Sequence, residues 1–387
     1  MNLFVKTEHQ RLWLQRLHEK RTKFNDQSTQ IDELAMFPKE SIQDLVDMGY
    51  SSITLPKSYG GEGISIYGMV LLQETLASFD ATTALSIGWN LGVIGDIFEK
   101  KLWDDEKLTF FAEEILNGAL VNRSVSEAQT GSPSRGGRPG TNAVKKGDSW
   151  IISGRKNFTT ASPALTYFLT SAWIEEKQKV GFFLLHKDLE GLTIDETWDV
   201  ISMRGSGSHD LVLQNVKVDD SKLVELPDTP GGQLSGWNLH IPACYLGIAQ
   251  SARDYAIHFA NHHSPNSLNG PISQLPNVQQ HLGEMDLELI KARHLIYSVA
   301  AAYDDESRSN YLTNELGVVK HTVTNAAISI IDKAMRIVGA KSLQRSNPLQ
   351  RYYRDVRAGL HNPPMDDMTI KNLALSAIKQ EKAIDDN

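Results

Sequence analysis

The chain has 387 residues, of which 41% are hydrophobic and 22% are charged, and its formal net charge is −8. This length predicts more than one packed domain, and the composition excludes long disordered tracts. Because the net charge is negative, general binding to nucleic acid or to an anionic membrane surface is not expected.

The single cysteine and the N-terminal residues indicate the cellular compartment of the protein. Cys244 is the single cysteine and lies in the apolar stretch 241–246, which favours a buried structural thiol and excludes an internal disulfide. Charged residues follow the short apolar run 3–5 at once, which argues against a signal peptide. No apolar stretch is long enough to cross a bilayer, so a cytoplasmic protein is expected.

Residues 1–118 are predicted to form a helical domain that includes helices at 65–79 and 82–101. The second of these helices carries small residues at helical spacing, which allow close approach either of another helix or of a ligand. These small residues are Gly88, Gly92 and Gly95.

Residues 119–228 are predicted to form a compact antiparallel β domain. Short segments rich in β-branched and aromatic residues recur here, at 150–152, 167–174, 180–185, 192–198 and 211–218. The segments between them are too short for crossover helices, so a doubly wound parallel sheet is not expected.

Residues 229–387 are predicted to form a helical bundle. Apolar residues from Val278 to Val299 and from Leu316 to Ile337 alternate steps of three and four, which is the stripe of a bundle helix. Gly339 follows the second stripe and is suited to end a helix. The predicted fold class is therefore α+β: an all-α N-terminal domain, a central antiparallel β domain and a C-terminal helical bundle of four helices.

The motifs that the sequence lacks exclude several kinds of cofactor and metal site. The sequence has no Walker-type loop, no Gly-x-Gly-x-x-Gly after a strand and no cysteine cluster. His262 and His263 are adjacent, which places them on different helix faces, so no metal site is predicted. Arg351 and Asp355 lie one helical turn apart and are interpreted as a surface ion pair.

Two stretches contain residue types that could hold a flat, phosphate-bearing ligand. In 126–132, hydroxyls and a glycine-containing turn can present backbone N–H groups to carbonyl or phosphate oxygens. In 154–160, Phe158 could stack on a planar ring while Thr160 donates a hydrogen bond. Taken singly, an ordinary polar loop and an ordinary strand are the favoured interpretations.

In their order along the chain, five stretches resemble motifs of the acyl-CoA dehydrogenase family. They are Thr54-Leu55-Pro56 with Tyr59-Gly60-Gly61, Ser126-Glu127 with Gly131-Ser132, Gly154-x-Lys156-x-Phe158-Thr159-Thr160, Met203-Arg204-Gly205-Ser206-Gly207-Ser208, and Arg351-Tyr352-Tyr353-Arg354-Asp355-Val356-Arg357-Ala358. The resemblance covers nearly the whole chain. It implies the same three-domain fold, FAD held between the domains, and a homotetramer.

The resemblance also implies roles for particular residues. Val125, Ser126, Phe158 and Thr160 would touch the flavin ring, with the Thr160 hydroxyl donating towards the N5 edge. Gly131 and Ser132 would serve the pyrophosphate or the substrate. Arg336 and Gly339 occupy the place of a family stretch that reaches the FAD of a neighbouring subunit.

The sequence departs from the family at the catalytic base. Most members carry a glutamate after the late helix, where this chain has 360–364 without a carboxylate, and one branch places it at the position of Trp237. The ending Arg357 to Pro363 is similar to that of the flavin-dependent monooxygenases of this fold. His361 is therefore a candidate acid/base, and Asp366, with its neighbour Asp367, is a candidate substitute base.

Three functions follow as expectations. The first is FAD-dependent α,β-dehydrogenation of an acyl-CoA or another small-molecule substrate, with an electron-transfer partner. The second is a two-component monooxygenase that uses O2 and reduced flavin from a flavin reductase. The third is a flavoprotein relative without catalytic activity. The Ser126-Glu127 stretch and Ser132 place dehydrogenation slightly ahead.

Overall fold

The computed structural model describes residues 3–130, 137–227, 234–309, 311–312 and 314–385, with side chains described through residue 381. Its helices are α1 (Glu8–Glu19), α2 (Arg21–Leu34), α3 (Lys39–Asp47), α4 (Ile66–Phe79), α5 (Ala81–Glu99), α6 (Asp105–Leu116), α7 (His240–His262), α8 (Pro276–Tyr303), α9 (Glu306–Ser309), α10 (Glu315–Val338), α11 (Pro348–Asp355) and α12 (Asp366–Asp385). Its strands are β1 (Val121–Ser124), β2 (Asn142–Lys146), β3 (Ser149–Thr159), β4 (Tyr167–Ile174), β5 (Lys179–His186), β6 (Leu192–Asp195), β7 (His209–Asp219) and β8 (Leu223–Glu225).

The N-terminal domain is built around α4 and α5, which are buried on nearly all sides. Asp80 caps α5 by accepting hydrogen bonds from the backbone N–H groups of Thr82 and Thr83, which fixes the turn between the two helices. The glycines of α5 face the beginning of α7 and the turn before it. A Cβ on Gly95 would lie 2.3 Å from the ring of Trp237, so the small residues admit a neighbouring segment of the chain.

The central domain is a mixed sheet with strand order β6-β7-β3-β2-β4-β5-β8, and β1 pairs with β4. Most neighbours are antiparallel, but β1–β4 and β2–β4 are parallel. The expected antiparallel domain is thus correct for most pairings and wrong for these two. The strand periodicity in the sequence could not reveal them, because it indicates which face is buried and not which strand is the neighbour.

The C-terminal helices contain both predicted stripes. Residues of the first stripe are buried along α8 and residues of the second along α10. Gly339 has a φ of +69° and ends α10, as its residue type predicts. The α+β fold class is confirmed. Within the described ranges, no helix is long and apolar enough to cross a membrane.

Asp355 joins the bundle to the central domain, which corrects the expected surface pair with Arg351. Its side chain is buried, and its Oδ1 accepts a hydrogen bond of 2.7 Å from the backbone N–H of Met203. Burial raises the pKa of Asp355 to about 7, although the Met203 N–H and the charge of Arg351 oppose the rise. The preceding residue, Arg354, donates to Asp32 at 2.9 Å. Helix α11, in the C-terminal bundle, therefore contacts both α2 and the segment that carries Met203.

Candidate functional site

The end of β3 presents an aromatic ring to the outside. Phe158 is 60% exposed and has a φ of +54°. The pairing of β3 with β7 is irregular between Lys156 and Thr159, which accounts for the local turn of the backbone. The ring meets Trp198 edge to face, with centroids 5.9 Å apart. A bulky residue in the left-handed region costs free energy, and such strain is typical of functional sites.

Behind Phe158, three buried hydroxyl groups are in contact, and we refer to them as the hydroxyl chain. Thr160 Oγ1 lies 2.9 Å from Ser208 Oγ, and Ser208 Oγ lies 2.8 Å from Ser206 Oγ. Their residues are 8%, 4% and 1% exposed, in the order Thr160, Ser208, Ser206. Thr160 and the segment 203–208 belong to two separate motifs in the sequence, and the structure brings them into contact.

Val125 and Ser126 lie beside this strand. The backbone N–H of Asn157 donates to the Ser126 carbonyl at 2.9 Å, which holds the loop after β1 against the end of β3. Val125 is half-buried and packs against the apolar residues around α6. Four of the predicted flavin-contacting residues therefore occupy one neighbourhood: Val125, Ser126, Phe158 and Thr160.

A buried ion pair supports this neighbourhood, and the sequence did not reveal it. Lys156 Nζ lies 2.6 Å from Glu127 Oε1 and 3.0 Å from Ser171 Oγ, and Lys156 is fully buried. Glu127 also accepts hydrogen bonds from the backbone N–H groups of Gly140 and Thr141. Burial alone would raise the pKa of Glu127, but the hydrogen bond and charge of Lys156 lower it to about 2.

Several buried polar atoms near Phe158 find no hydrogen-bond partner among the described residues. They include Ser124 Oγ at the end of β1, and Asn157 Oδ1 and Thr159 Oγ1 on either side of Phe158. Buried polar groups in proteins are nearly always paired, so unpaired ones indicate a ligand or ordered water. Together with the exposed ring, they fit a flat ligand that carries several polar atoms.

The remaining cofactor predictions have different outcomes. Gly131 and Ser132 lie outside the described residues. Arg336 is exposed in the last turn of α10, and Gly339 follows it at the surface. Both face away from the interior of this chain, and their proposed contact with a neighbouring subunit stays a prediction.

The two candidate acid/base residues differ in their surroundings. His361 is exposed, and its backbone N–H donates to the Ala358 carbonyl at 3.0 Å. Asp366 is partly buried and is bound by other side chains: Asn325 donates to it at 2.9 Å, and Lys320 lies 3.4 Å away. In the part of the chain that the structure describes, no group of three or more His, Cys, Asp or Glu side chains could hold a metal ion.

Comparison with known families assigns the class of protein. The models of the acyl-CoA dehydrogenase N-terminal, middle and C-terminal domains match residues 7–100, 123–216 and 234–360. The chain therefore belongs to the acyl-CoA dehydrogenase family and is a flavin-dependent oxidoreductase. Its cofactor is a flavin, consistent with FAD, and the exposed ring and unpaired polar atoms near Phe158 fit such a group.

Two curated proteins are similar to this chain over most of its length. The chain is 58% identical over 380 residues to YdbM of Bacillus subtilis (strain 168), a candidate acyl-CoA dehydrogenase, and the match covers 98% of this chain and 100% of YdbM. It is 27% identical over 335 residues to a 3-(aryl)acrylate reductase of Clostridium sporogenes (strain ATCC 15579), with coverage of 85% and 87%.

Solved structures share the fold at low sequence identity. Butyryl-CoA dehydrogenase from Megasphaera elsdenii has a TM-score of 0.87 at 21% identity, covering 98% of this chain and all of that chain. KijD3 in complex with FMN and an amino-keto sugar nucleotide has a TM-score of 0.85 at 23% identity, covering 97% and 95%. TdsC from Paenibacillus sp. A11-2, with FMN and indole, has a TM-score of 0.81 at 20% identity, covering 93% and 95%.

Proposed function

We propose that this protein is a flavin-dependent monooxygenase that acts on a small molecule and takes reduced flavin from a separate reductase. The observation that carries the proposal is the lack of a carboxylate at both positions where the family places its base. Dehydrogenation of an acyl thioester needs a positioned base to remove the α-proton. Monooxygenation has no such requirement.

The surroundings of Trp237 and of Asp366 support this proposal. Trp237, at one of the two positions, is buried, and its Nε1–H donates to Glu99 at 3.1 Å. Asp366 already accepts from Asn325 and pairs with Lys320. A carboxylate held by a cation and a donor is less free to approach a substrate carbon, because both contacts would have to be broken.

The residues of this chain have defined tasks in the proposed reaction. Phe158 would cover the face of the flavin, and Thr160 would present its hydroxyl to the N5 edge. When bound in its reduced form, the flavin supplies the two electrons that reduce one oxygen atom of O2 to water while the other atom enters the substrate. The exposed imidazole of His361 would give or take the proton that accompanies this transfer.

The reaction type is tested by supplying reduced FMN or FAD, and a panel of small aromatic and sulfur-containing or amino-bearing substrates, with and without O2. The proposal predicts product that carries one atom of 18O from labelled O2, and no product without O2. Turnover of an acyl thioester in the absence of O2 would contradict it. A lack of turnover in both arms, with flavin bound, would favour a flavoprotein relative without catalytic activity.

Acyl thioester dehydrogenation, with His361 as the base, is the second candidate. It is favoured by the 58% identity to YdbM and by the exposed imidazole after α11. Anaerobic titration with thioesters of increasing chain length would bleach the flavin absorbance if this candidate holds. An electron-transfer partner would then replace the flavin reductase.

We further propose that copies of the chain associate as a homotetramer. Large apolar side chains are exposed on α8 and α12, including Leu287 at 53%, Ile290 at 58% and Ile370 at 56%. Leu287 and Ile290 share one face of α8, which suits packing against another helix. Light scattering on the purified protein tests the subunit number. Location in the cytoplasm stays a prediction from the sequence.

A further inference from the structure

A polar cleft lies where α2 of the N-terminal domain faces α7 and the start of α11 in the bundle. Its volume is about 470 Å³, which is in the range of small-molecule sites. The described residues that line it belong to the N-terminal and C-terminal domains and include none of the central sheet. The cleft is therefore separate from the region around Phe158.

Two arginines in this cleft have no carboxylate partner among the described residues. Arg21, in the first turn of α2, is exposed, and its guanidinium lies over the ring of Phe79 at 5.6 Å. Arg345, which precedes α11, is exposed as well. Both line the cleft, and neither forms an ion pair with a described Asp or Glu side chain. The N–H donors of both guanidinium groups are therefore available to a ligand.

A third arginine of the cleft is partly engaged. Arg351 donates to the Thr29 hydroxyl at 3.2 Å. Burial raises the pKa of the Asp80 and Asp355 carboxyls, and the charge of Arg351 opposes that rise. Part of the Arg351 charge therefore already serves buried groups. Because Thr29 accepts the hydrogen bond, its own hydroxyl proton stays available to a ligand.

Three carboxylates also line the cleft, and two of them are paired with cations that do not line it. Asp32 accepts from Arg354 at 2.9 Å, and Asp254 accepts from Arg253 at 2.9 Å. Of the three, Glu33 alone has no ion pair within the described ranges. The unpaired charge that faces the cleft is therefore positive, although the chain carries a net charge of −8.

Guanidinium groups bind phosphate through parallel N–H donors, a geometry that a single ammonium group cannot offer. We propose that this cleft binds a small molecule that carries a phosphate or pyrophosphate group, held by Arg21 and Arg345. Because the two arginines come from different domains, such a ligand would tie α2 to the bundle. The site does not depend on the proposed flavin chemistry.

The test is a calorimetric titration of inorganic pyrophosphate into the full-length protein at low ionic strength, both with saturating FAD and without it. FAD carries a pyrophosphate of its own, so its presence blocks the proposed flavin site. We expect saturable binding of one pyrophosphate per chain, with the same affinity in both conditions. Binding that disappears when FAD is added would overturn the inference, because the probe would then occupy the flavin site.

Two variants on different elements make the test specific. Arg21→Gln and Arg345→Gln each remove one charge and keep a polar side chain. Hydrogen bonds to charged groups are strong enough that each variant should weaken pyrophosphate binding by at least about tenfold. Both arginines are exposed, so the melting temperature should stay close to that of wild type. Arg11→Gln is the matched control, because Arg11 is an exposed arginine of α1 that pairs with Glu8 and does not line the cleft.

The possible results decide the inference without deciding the proposed function. The inference is overturned if wild type binds no pyrophosphate, or if neither Arg21→Gln nor Arg345→Gln weakens binding. An equal loss in Arg11→Gln would overturn it too, because the anion would then respond to the surface charge and not to this cleft. The proposed function is decided separately, by flavin binding to wild type, and both cleft variants are expected to bind FAD as wild type does.

Discussion

Lys156 and Glu127 form an ion pair of 2.6 Å directly behind the strand end that carries Phe158. The lysine is fully buried, and the glutamate is 7% exposed. Glu127 lies in the loop after β1 and Lys156 in β3, so the pair joins the two segments that are proposed to contact the flavin. Its integrity should control both the stability of the central domain and the shape of the site.

The two members of this pair should respond differently to removal. Glu127→Ala leaves the Lys156 charge buried with only Ser171 beside it, and we expect a loss of about 3–5 kcal/mol in the free energy of unfolding. Lys156→Met should cost less, since Glu127 keeps the backbone N–H groups of Gly140 and Thr141. Urea denaturation measures both. Arg138→Ala, which breaks the exposed pair with Glu175, is the control and should leave the free energy of unfolding nearly unchanged.

The same pair predicts an acid-dependent loss of stability. The pKa of Glu127 is lowered from 4.5 to about 2 in the folded protein, so its contribution is present above pH 4.5 and is lost as the pH falls towards 2. We expect the pH dependence of the unfolding free energy in this range to be weaker in Lys156→Met. An identical acid profile for wild type and variant would show that the pair does not contribute.

The buried Asp355 carboxyl should make the protein less stable as the pH rises, which is the opposite direction to the effect of Glu127. Its pKa is raised from 3.8 to about 7 in the folded protein, so the stability it contributes is present below pH 3.8 and is lost as the pH rises through 7. Asp355→Asn keeps an oxygen acceptor for the Met203 N–H and cannot ionise. Between pH 4 and pH 7, we expect its unfolding free energy to fall by roughly 3 kcal/mol less than that of wild type. Thermal unfolding of both proteins at several pH values checks this prediction. If the unfolding free energy of wild type and of Asp355→Asn changes with pH in the same way, the prediction is contradicted.

His361 should matter for turnover and not for folding. Its side chain is exposed, so His361→Gln is expected to leave the melting temperature and the flavin affinity close to those of wild type. Loss of a positioned acid or base typically lowers a rate by about 10²–10⁴-fold, and we expect product formation to fall by at least the lower figure. His9→Gln, which removes another exposed imidazole, is the control and should retain full activity.

Local patterns in the sequence predicted the elements well. The stripes of α8 and α10 follow from apolar periodicity, and β4 follows from its run of β-branched and aromatic residues, because both signals depend only on neighbours in the chain. The contact of Thr160 with Ser208 and the Lys156–Glu127 pair could not be predicted in this way, since each joins residues far apart in sequence. Asp355 was misjudged for the same reason: its partner, Met203, lies 152 residues away.

The claim that the flavin binds against Phe158 is tested most directly by measuring flavin binding to Phe158 variants. Because Phe158 is 60% exposed, Phe158→Ala should leave the melting temperature nearly unchanged while removing the ring that would cover the flavin. An aromatic contact of this kind is worth about 0.5–1.5 kcal/mol, so we predict saturable flavin binding by wild type and affinity about 3–10-fold weaker in the variant. Phe158→Tyr should bind as wild type does. Equal affinities for wild type and Phe158→Ala, or no flavin binding by wild type, would contradict the account.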